Sequence, residues 1–305
     1  MNEQIIIQDI LKIMAESEYE GRPLSRDTIV SELSLSIDQA DQMIHDLEAA
    51  ELIEPGTMKL AARGREYALH VLRAHRLYET YLAHKTGIEE SQWHSRAHVE
   101  EHKLSASDVE KLARDLNYPR YDPHGDPIPT ATGFMPAKKG QLITEYPQGW
   151  AGRVVHVEDE PPQKYAILSS ASIGPGTIVR ISKKDDREMV IETEGCTFKL
   201  PVDVAGLLSV EPLLNEETFD ESLVRLSSLT VKEKATVTGL SSLCLGLERN
   251  RLLDLGLVPG TTIFIDLVST SGNPVAYNIR GASIALRTQQ ADRVLIHKRK
   301  EKSNG

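Results

Sequence analysis

The C-terminal half of this chain repeats itself. Gly174–Pro175–Gly176–Thr177–Ile178 aligns with Val258–Pro259–Gly260–Thr261–Thr262 at an offset of 84. Gly195, Leu200, Ala205 and Val210 then align with Gly281, Leu286, Ala291 and Ile296, each at an offset of 86. One constant offset broken by a two-residue insertion is the mark of a duplicated domain. The repeat predicts two units of about 70 residues, enough for a small β-barrel each. Their expected bounds are 140–212 and 226–297. Arg153–Val157, Ile178–Ile181 and Met189–Thr193 read as short strands of the first.

The first 116 residues follow a different period. Ile6, Ile10, Ile13 and Met14, then Ile29 and Leu33, then Met43, Ile44 and Leu47 recur at three- and four-residue steps, the helical signature. Ser25 and Ser36 stand where helix N-caps are expected. With the Pro55–Gly56 turn, the order is helix, helix-turn-helix, short β wing over residues 1–70. Helices are then expected over 61–82, 89–104 and 107–116, giving a helical domain over 71–135. Residues 117–139 hold five prolines and mark an irregular strap or domain boundary. No run approaches the ~18 apolar residues of a membrane helix. Cys196 and Cys244 are too few for a disulfide framework. No membrane insertion and a reducing cytoplasm are the expectations.

The chemical signal lies on two of these helices. His94, His98, Glu101 and His102 sit at i, i+4, i+7 and i+8, on one helical face. His75 and Glu79, at i and i+4, share a face of the preceding helix. Imidazole and carboxylate without thiolate suit Fe2+, Mn2+, Co2+ or Zn2+. His98–Val99–Glu100–Glu101–His102 also matches H-x-x-E-H, the inverted zinc-protease motif. An enzyme reading therefore stands beside a sensing one, and the spare ligands His75, Glu79 and His94 favour the sensor.

Several segments together resemble one family. They are the winged-helix order, Val71–Leu–Arg–Ala–His75–Arg–Leu–Tyr–Glu79, the His94–His98–Glu101–His102 stripe and Pro123–His–Gly–Asp–Pro–Ile–Pro129. Over residues 1–135 the chain resembles the diphtheria-toxin-repressor family of iron- and manganese-dependent repressors. The rest resembles two FeoA-type, SH3-like domains, most closely over residues 250–294. The resemblance implies a multidomain α+β chain: winged helix-turn-helix, helical metal-binding and dimerisation domain, and two SH3-like small β-barrels. It implies a principal metal site of Asp9, His98, Glu101 and His102, and a second of His75, Glu79 and His94. An aspartate at position 9 is similar to the manganese-sensing branch, where Lys12 replaces a second acid. His98 stands where the family has Cys or Glu, a change that favours zinc or cobalt. Fe2+ or Mn2+ is the expected cofactor, with Zn2+ or Co2+ open. The implied function is a homodimeric repressor whose metal sets the spacing of two DNA-reading heads and which controls metal-uptake genes.

Charge complicates that expectation. Residues 1–70 carry 6 Lys+Arg against 14 Asp+Glu, most of the chain's net −10. The helix expected to read DNA, residues 37–50, has no Lys or Arg. The DNA-facing candidates are Arg26, Ser36, Asp38, Gln39, Gln42 and Lys59. Gln reads adenine and Ser contacts phosphate, whereas the aspartate repels a polyanion. The alternative expectation is a metal-responsive adaptor in ferrous-iron transport, its acidic winged helix binding an iron-transport protein instead of operator DNA.

Overall fold

The computed structural model describes residues 3–214 and 217–299. The chain divides into two compact units, Met1–Ala83 with Ile88–Ala137, and His84–Gly87 with Lys138–Gly305.

In the first unit, α1 (Glu3–Glu20) precedes α2 (Arg26–Glu32) and α3 (Ile37–Ala49). The Ser25 hydroxyl accepts from the Thr28 amide and caps α2. Ser36 and Gln39 cap α3 reciprocally, each side chain accepting from the other's amide. Ser34, at φ 52, makes the left-handed turn between them. Ile53 and Leu60 pair across the wing. The wing is pressed on the first turn of α4 (Ala62–Lys85), where a Cβ at Gly64 would lie 1.8 Å from the Leu52 carbonyl oxygen. Ile10, Leu11, Met14, Ile29, Leu47, Ile53, Leu60 and Ala68 form one core. A smaller core of Ala74, Leu77, Val109, Ala113 and Ile128 joins α4 to α6 (Ala106–Asp115) and the strap.

Two details differ from the sequence expectation. The 70/71 boundary falls inside α4, because that helix packs on the wing at its start and on α6 further along. The helix expected over 89–104 is a 3-10 turn, Glu90–Gln92, followed by α5 (Trp93–Glu101). His102 is the α5 C-cap, and its φ −75, ψ −10 keep it on the helical face of His98.

The second unit is the duplicated part. β1 (Gln141–Leu142), β2 (Ala151–Val157), β3 (Ile178–Lys184), β4 (Glu188–Thr193), β5 (Cys196–Pro201) and β6 (Leu208–Pro212) form one antiparallel sheet in the order β1-β6-β2-β3-β4-β5. β7 (Leu223–Arg225), β8 (Lys234–Leu240), β9 (Thr262–Val268), β10 (Val275–Ile279), β11 (Ala282–Leu286) and β12 (Val294–Lys298) repeat that order strand for strand. The second sheet starts at Leu223 rather than 226, since β7 pairs with β12 through Leu223, Val224 and Arg225. The end strands of either sheet do not pair with one another among the described residues. Each sheet is thus SH3-like in order without a hydrogen-bonded closure. Gly176 (φ 90) and Gly260 (φ 88) occupy equivalent left-handed turns, their amides donating to Val154 and Val237 carbonyls at 2.8 Å. The two sheets are joined by a buried group. Arg225 Nε donates to Glu194 Oε2 at 3.1 Å, and Ser241 Oγ to Glu194 Oε1 at 3.0 Å.

Candidate metal centre

The first unit brings the sequence-predicted ligands together from three helices. Asp9 lies on α1, His75 and Glu79 on α4, and His94, His98 and Glu101 on α5, with His102 at its end. One candidate ligand atom from each of Asp9, His98, Glu101 and His102 falls within 4.8 Å of all the others. The same holds for His75, Glu79 and His94. The first group joins α1 to α5, and the second joins α4 to α5.

The spacing inside the first group is wrong for hydrogen bonds and right for an ion. Asp9 Oδ1 lies 3.7 Å from His98 Nδ1 and 3.5 Å from His102 Nε2. Glu101 Oε1 lies 3.4 Å from His98 Nδ1 and 3.5 Å from His102 Nε2. Hydrogen bonds run at roughly 2.7–3.2 Å. Two atoms each about 2.1 Å from one ion lie at most about 4.2 Å apart. Asp9 Oδ1, His102 Nε2 and Glu79 Oε1 are buried and make no hydrogen bond. Buried polar atoms without a partner are rare and call for one. A divalent ion bound by nitrogen and oxygen donors fits these residues.

Neighbouring groups prepare the ligands. His102 Nδ1 donates to Gln8 Oε1 at 2.5 Å, which leaves Nε2 as the lone-pair nitrogen facing the group. Gln8 is held in turn by its Nε2 donating to the Tyr67 hydroxyl at 2.5 Å. Burial lowers the His102 pKa, favouring the neutral, ligating imidazole. Burial raises the Asp9 carboxyl, against the opposing charges of Lys12 and His98.

Glu101 links the two groups. Its Oε1 accepts from Lys12 Nζ at 2.8 Å, and its Oε2 meets His75 Nδ1 in a very short contact. His75 Nε2 faces Glu79 Oε1 at 3.2 Å. His75 is therefore wedged between two carboxylates. Burial and Lys12 push its pKa down, but Glu79 and Glu101 prevail and raise it to about 9. Burial pushes Glu101 upward, yet the hydrogen bond from His75, the nearby His98 and the Lys12 charge hold it well below the carboxylate range. A carboxylate occupied on both oxygens and held this acidic is a poor base for activating water, which weighs against the protease reading of H-x-x-E-H.

Two further candidate ligands lie outside the set expected from the sequence. Asp122 and His124, on the strap, form a third group with Glu79. His124 Nδ1 lies 3.8 Å from Glu79 Oε2. The strap folds tightly here: Asp122 Oδ1 accepts from the His124 and Asp126 amides, each at 2.9 Å. Arg73 and Arg76 clamp it to α4 by donating to the Pro129 and Pro127 carbonyls at 2.7 and 2.6 Å. Burial, with Asp126 and Glu79 nearby, raises the Asp122 carboxyl to about 7. The available signal was a histidine inside a Pro/Gly turn, which helical periodicity does not detect.

Residues 61–130 match the family "iron dependent repressor, metal binding and dimerisation domain", and residues 224–298 match the FeoA domain. The iron-dependent repressor IdeR of Mycobacterium tuberculosis is 30% identical over 229 residues, covering 69% of this chain and 99% of that protein. The diphtheria toxin repressor of Corynebacterium efficiens is 28% identical over 214 residues, covering 66% and 93%. The chain belongs to the diphtheria-toxin-repressor family. Among solved structures, a manganese-dependent transcriptional repressor in complex with manganese is 27% identical with a TM-score of 0.62, covering 68% of this chain and 99% of that one. ScaR with bound Zn2+ is 26% identical with a TM-score of 0.57, covering 68% and 99%.

In this family member the expected DNA-facing residues Arg26, Ser36, Asp38, Gln39, Gln42 and Lys59 are all exposed. Most are engaged locally. Arg26 pairs with Asp41 at 3.2 Å, Ser36 and Gln39 cap α3, and Gln42 donates to Asp46 at 2.9 Å. Arg22 pairs with Glu20, and Arg65 with Glu18 at 2.7 Å. No ion pair to Lys59 or Arg63 is found among the described residues.

Proposed function

We propose that this chain is a metal-dependent transcriptional repressor that binds operator DNA as a homodimer when its centre holds Fe2+ or Mn2+. The observation that carries the reading is the convergence of Asp9 from α1 with His98, Glu101 and His102 from α5. Bound there, the ion supplies one positive centre shared by two helices. Asp9 directly precedes Ile10 and Leu11 on α1, which lie in the winged-helix core. Anchoring α1 through Asp9 therefore anchors the DNA-reading helices packed on it. Metal that binds the anchored arrangement more tightly shifts the population toward it, and DNA binding follows by linkage.

Family membership and the match to a dimerisation domain support the two-headed arrangement. Glu79, Asp122 and His124 add a ligand group next to His75 and His94, and Zn2+ or Co2+ remains compatible with so many imidazoles. The relatives named are repressors rather than enzymes, and none of them points to an iron-transport partner. Among the described residues no helix is long and apolar enough to cross a membrane. The test is retention of DNA from the chain's own upstream region at low salt. Metal-loaded protein is expected to be retained and to be released by a chelator; no retention in the loaded state contradicts the reading.

A further inference from the structure

A side-chain ammonium of the chain itself reaches into the principal ligand group. Lys12 lies one turn beyond Asp9 on α1, and its ammonium donates to Glu101 Oε1 at 2.8 Å. Its side chain is 11% exposed and that of Glu101 is fully buried, so the pair is shielded from water. The same oxygen, Glu101 Oε1, is the one that faces His98 Nδ1 and His102 Nε2 at 3.4 and 3.5 Å. An ion held by these ligands would therefore share one atom with the ammonium. The oxygen has lone pairs for both, but the two positive charges are close and poorly screened. His75 holds the other oxygen of Glu101, so the carboxylate stays oriented without Lys12. The lysine is therefore not needed to aim the ligand, and its main effect on a bound ion is repulsive.

Resting on the metal-centre reading above, we propose that Lys12 is a tethered counter-cation that sets the metal affinity of this repressor. In the metal-free chain it neutralises part of the Asp9–Glu101 charge and holds α1 on α5. In the loaded chain it opposes the ion, so the centre fills only at a higher metal concentration than its ligands alone would require. The lysine thereby raises the response threshold without contributing a ligand.

The experiment uses the full chain with Mn2+ as the probe, followed by calorimetric titration and by thermal melting with and without the ion. Lys12→Met removes the charge and keeps an unbranched apolar stem, whereas Lys12→Arg keeps the charge. Lys12→Met is expected to bind Mn2+ about ten-fold tighter or more, because one nearby positive charge is gone. It is also expected to melt lower without metal and to show a larger Mn2+-induced rise. Lys12→Arg is expected to stay within about three-fold of the parent, since the charge remains. Equal or weaker Mn2+ binding by Lys12→Met overturns the proposal while leaving the metal centre intact. A Lys12→Met chain that is unfolded without metal and refolds with Mn2+ supports it; one that stays unfolded with Mn2+ overturns it. A parent chain that binds neither Mn2+, Fe2+, Zn2+ nor Co2+ overturns the metal-centre reading itself.

Discussion

Gln8 shows how much of the centre is held by residues that never touch an ion. Its amide fixes the His102 tautomer and is itself fixed by Tyr67. Gln8→Ala is expected to weaken Mn2+ binding by about 10–100-fold, the usual effect of losing such a partner, with calorimetric titration as the check. His75 has its pKa raised to about 9 in the metal-free fold against 6.5 when unfolded, so the fold binds more protons in that window. Its contribution is complete below pH 6.5 and is lost as pH rises toward 9. The melting temperature of metal-free protein should therefore fall across pH 6.5–9. Mn2+ binding should tighten over the same range, since the ion replaces that proton. The histidine stripe made His94, His98, Glu101 and His102 legible in the sequence, because all lie on one short segment. Gln8, Asp122 and His124 were not, because their meeting depends on how α1 and the strap pack on α4 and α5.

At the scale of elements, α4 is the common support. Its first turn carries the wing, its middle carries His75 and Glu79, and Arg73 and Arg76 hold the strap on it. Gly64 is where this arrangement is least tolerant. Any Cβ there would overlap the Leu52 carbonyl, a backbone atom that cannot swing aside. Gly64→Ala is expected to destabilise the first unit by about 1–3 kcal/mol, the range of forced overpacking, despite its better helix propensity. Urea unfolding followed by circular dichroism measures this, and an unchanged midpoint would refute the wing–α4 contact. Periodicity and caps made α1 to α4 legible in the sequence, since local signals decide them. The break between Gln92 and Trp93 and the end of α5 at Glu101 were not, because no proline or glycine marks them.

Over the whole molecule, the duplication was the most legible feature. Offsets of 84 and 86 residues reappear as two sheets with one strand order, because the matching glycines mark turns that only a left-handed backbone makes. The start of the second sheet was missed, since β7 is three residues long and is defined by pairing with distant β12. Charge also acts at this scale. The exposed winged-helix surface offers Lys59 and Arg63 without an acidic partner among the described residues, while Arg22, Arg26 and Arg65 are paired. A homodimer with so few cations should neutralise about four phosphates, giving a log K against log salt slope of about −4. A slope near −10 would show that the acidic heads grip DNA in some other way. Metal at the Asp9–His98–Glu101–His102 group is expected to switch DNA binding. The switch is tested most directly by measuring DNA affinity, by fluorescence anisotropy, against free Mn2+ for the parent chain and His102→Ala. Affinity is expected to rise with the same midpoint as Mn2+ binding, and His102→Ala is expected to lose the rise. DNA affinity independent of Mn2+, or an undiminished rise in His102→Ala, would contradict the switch.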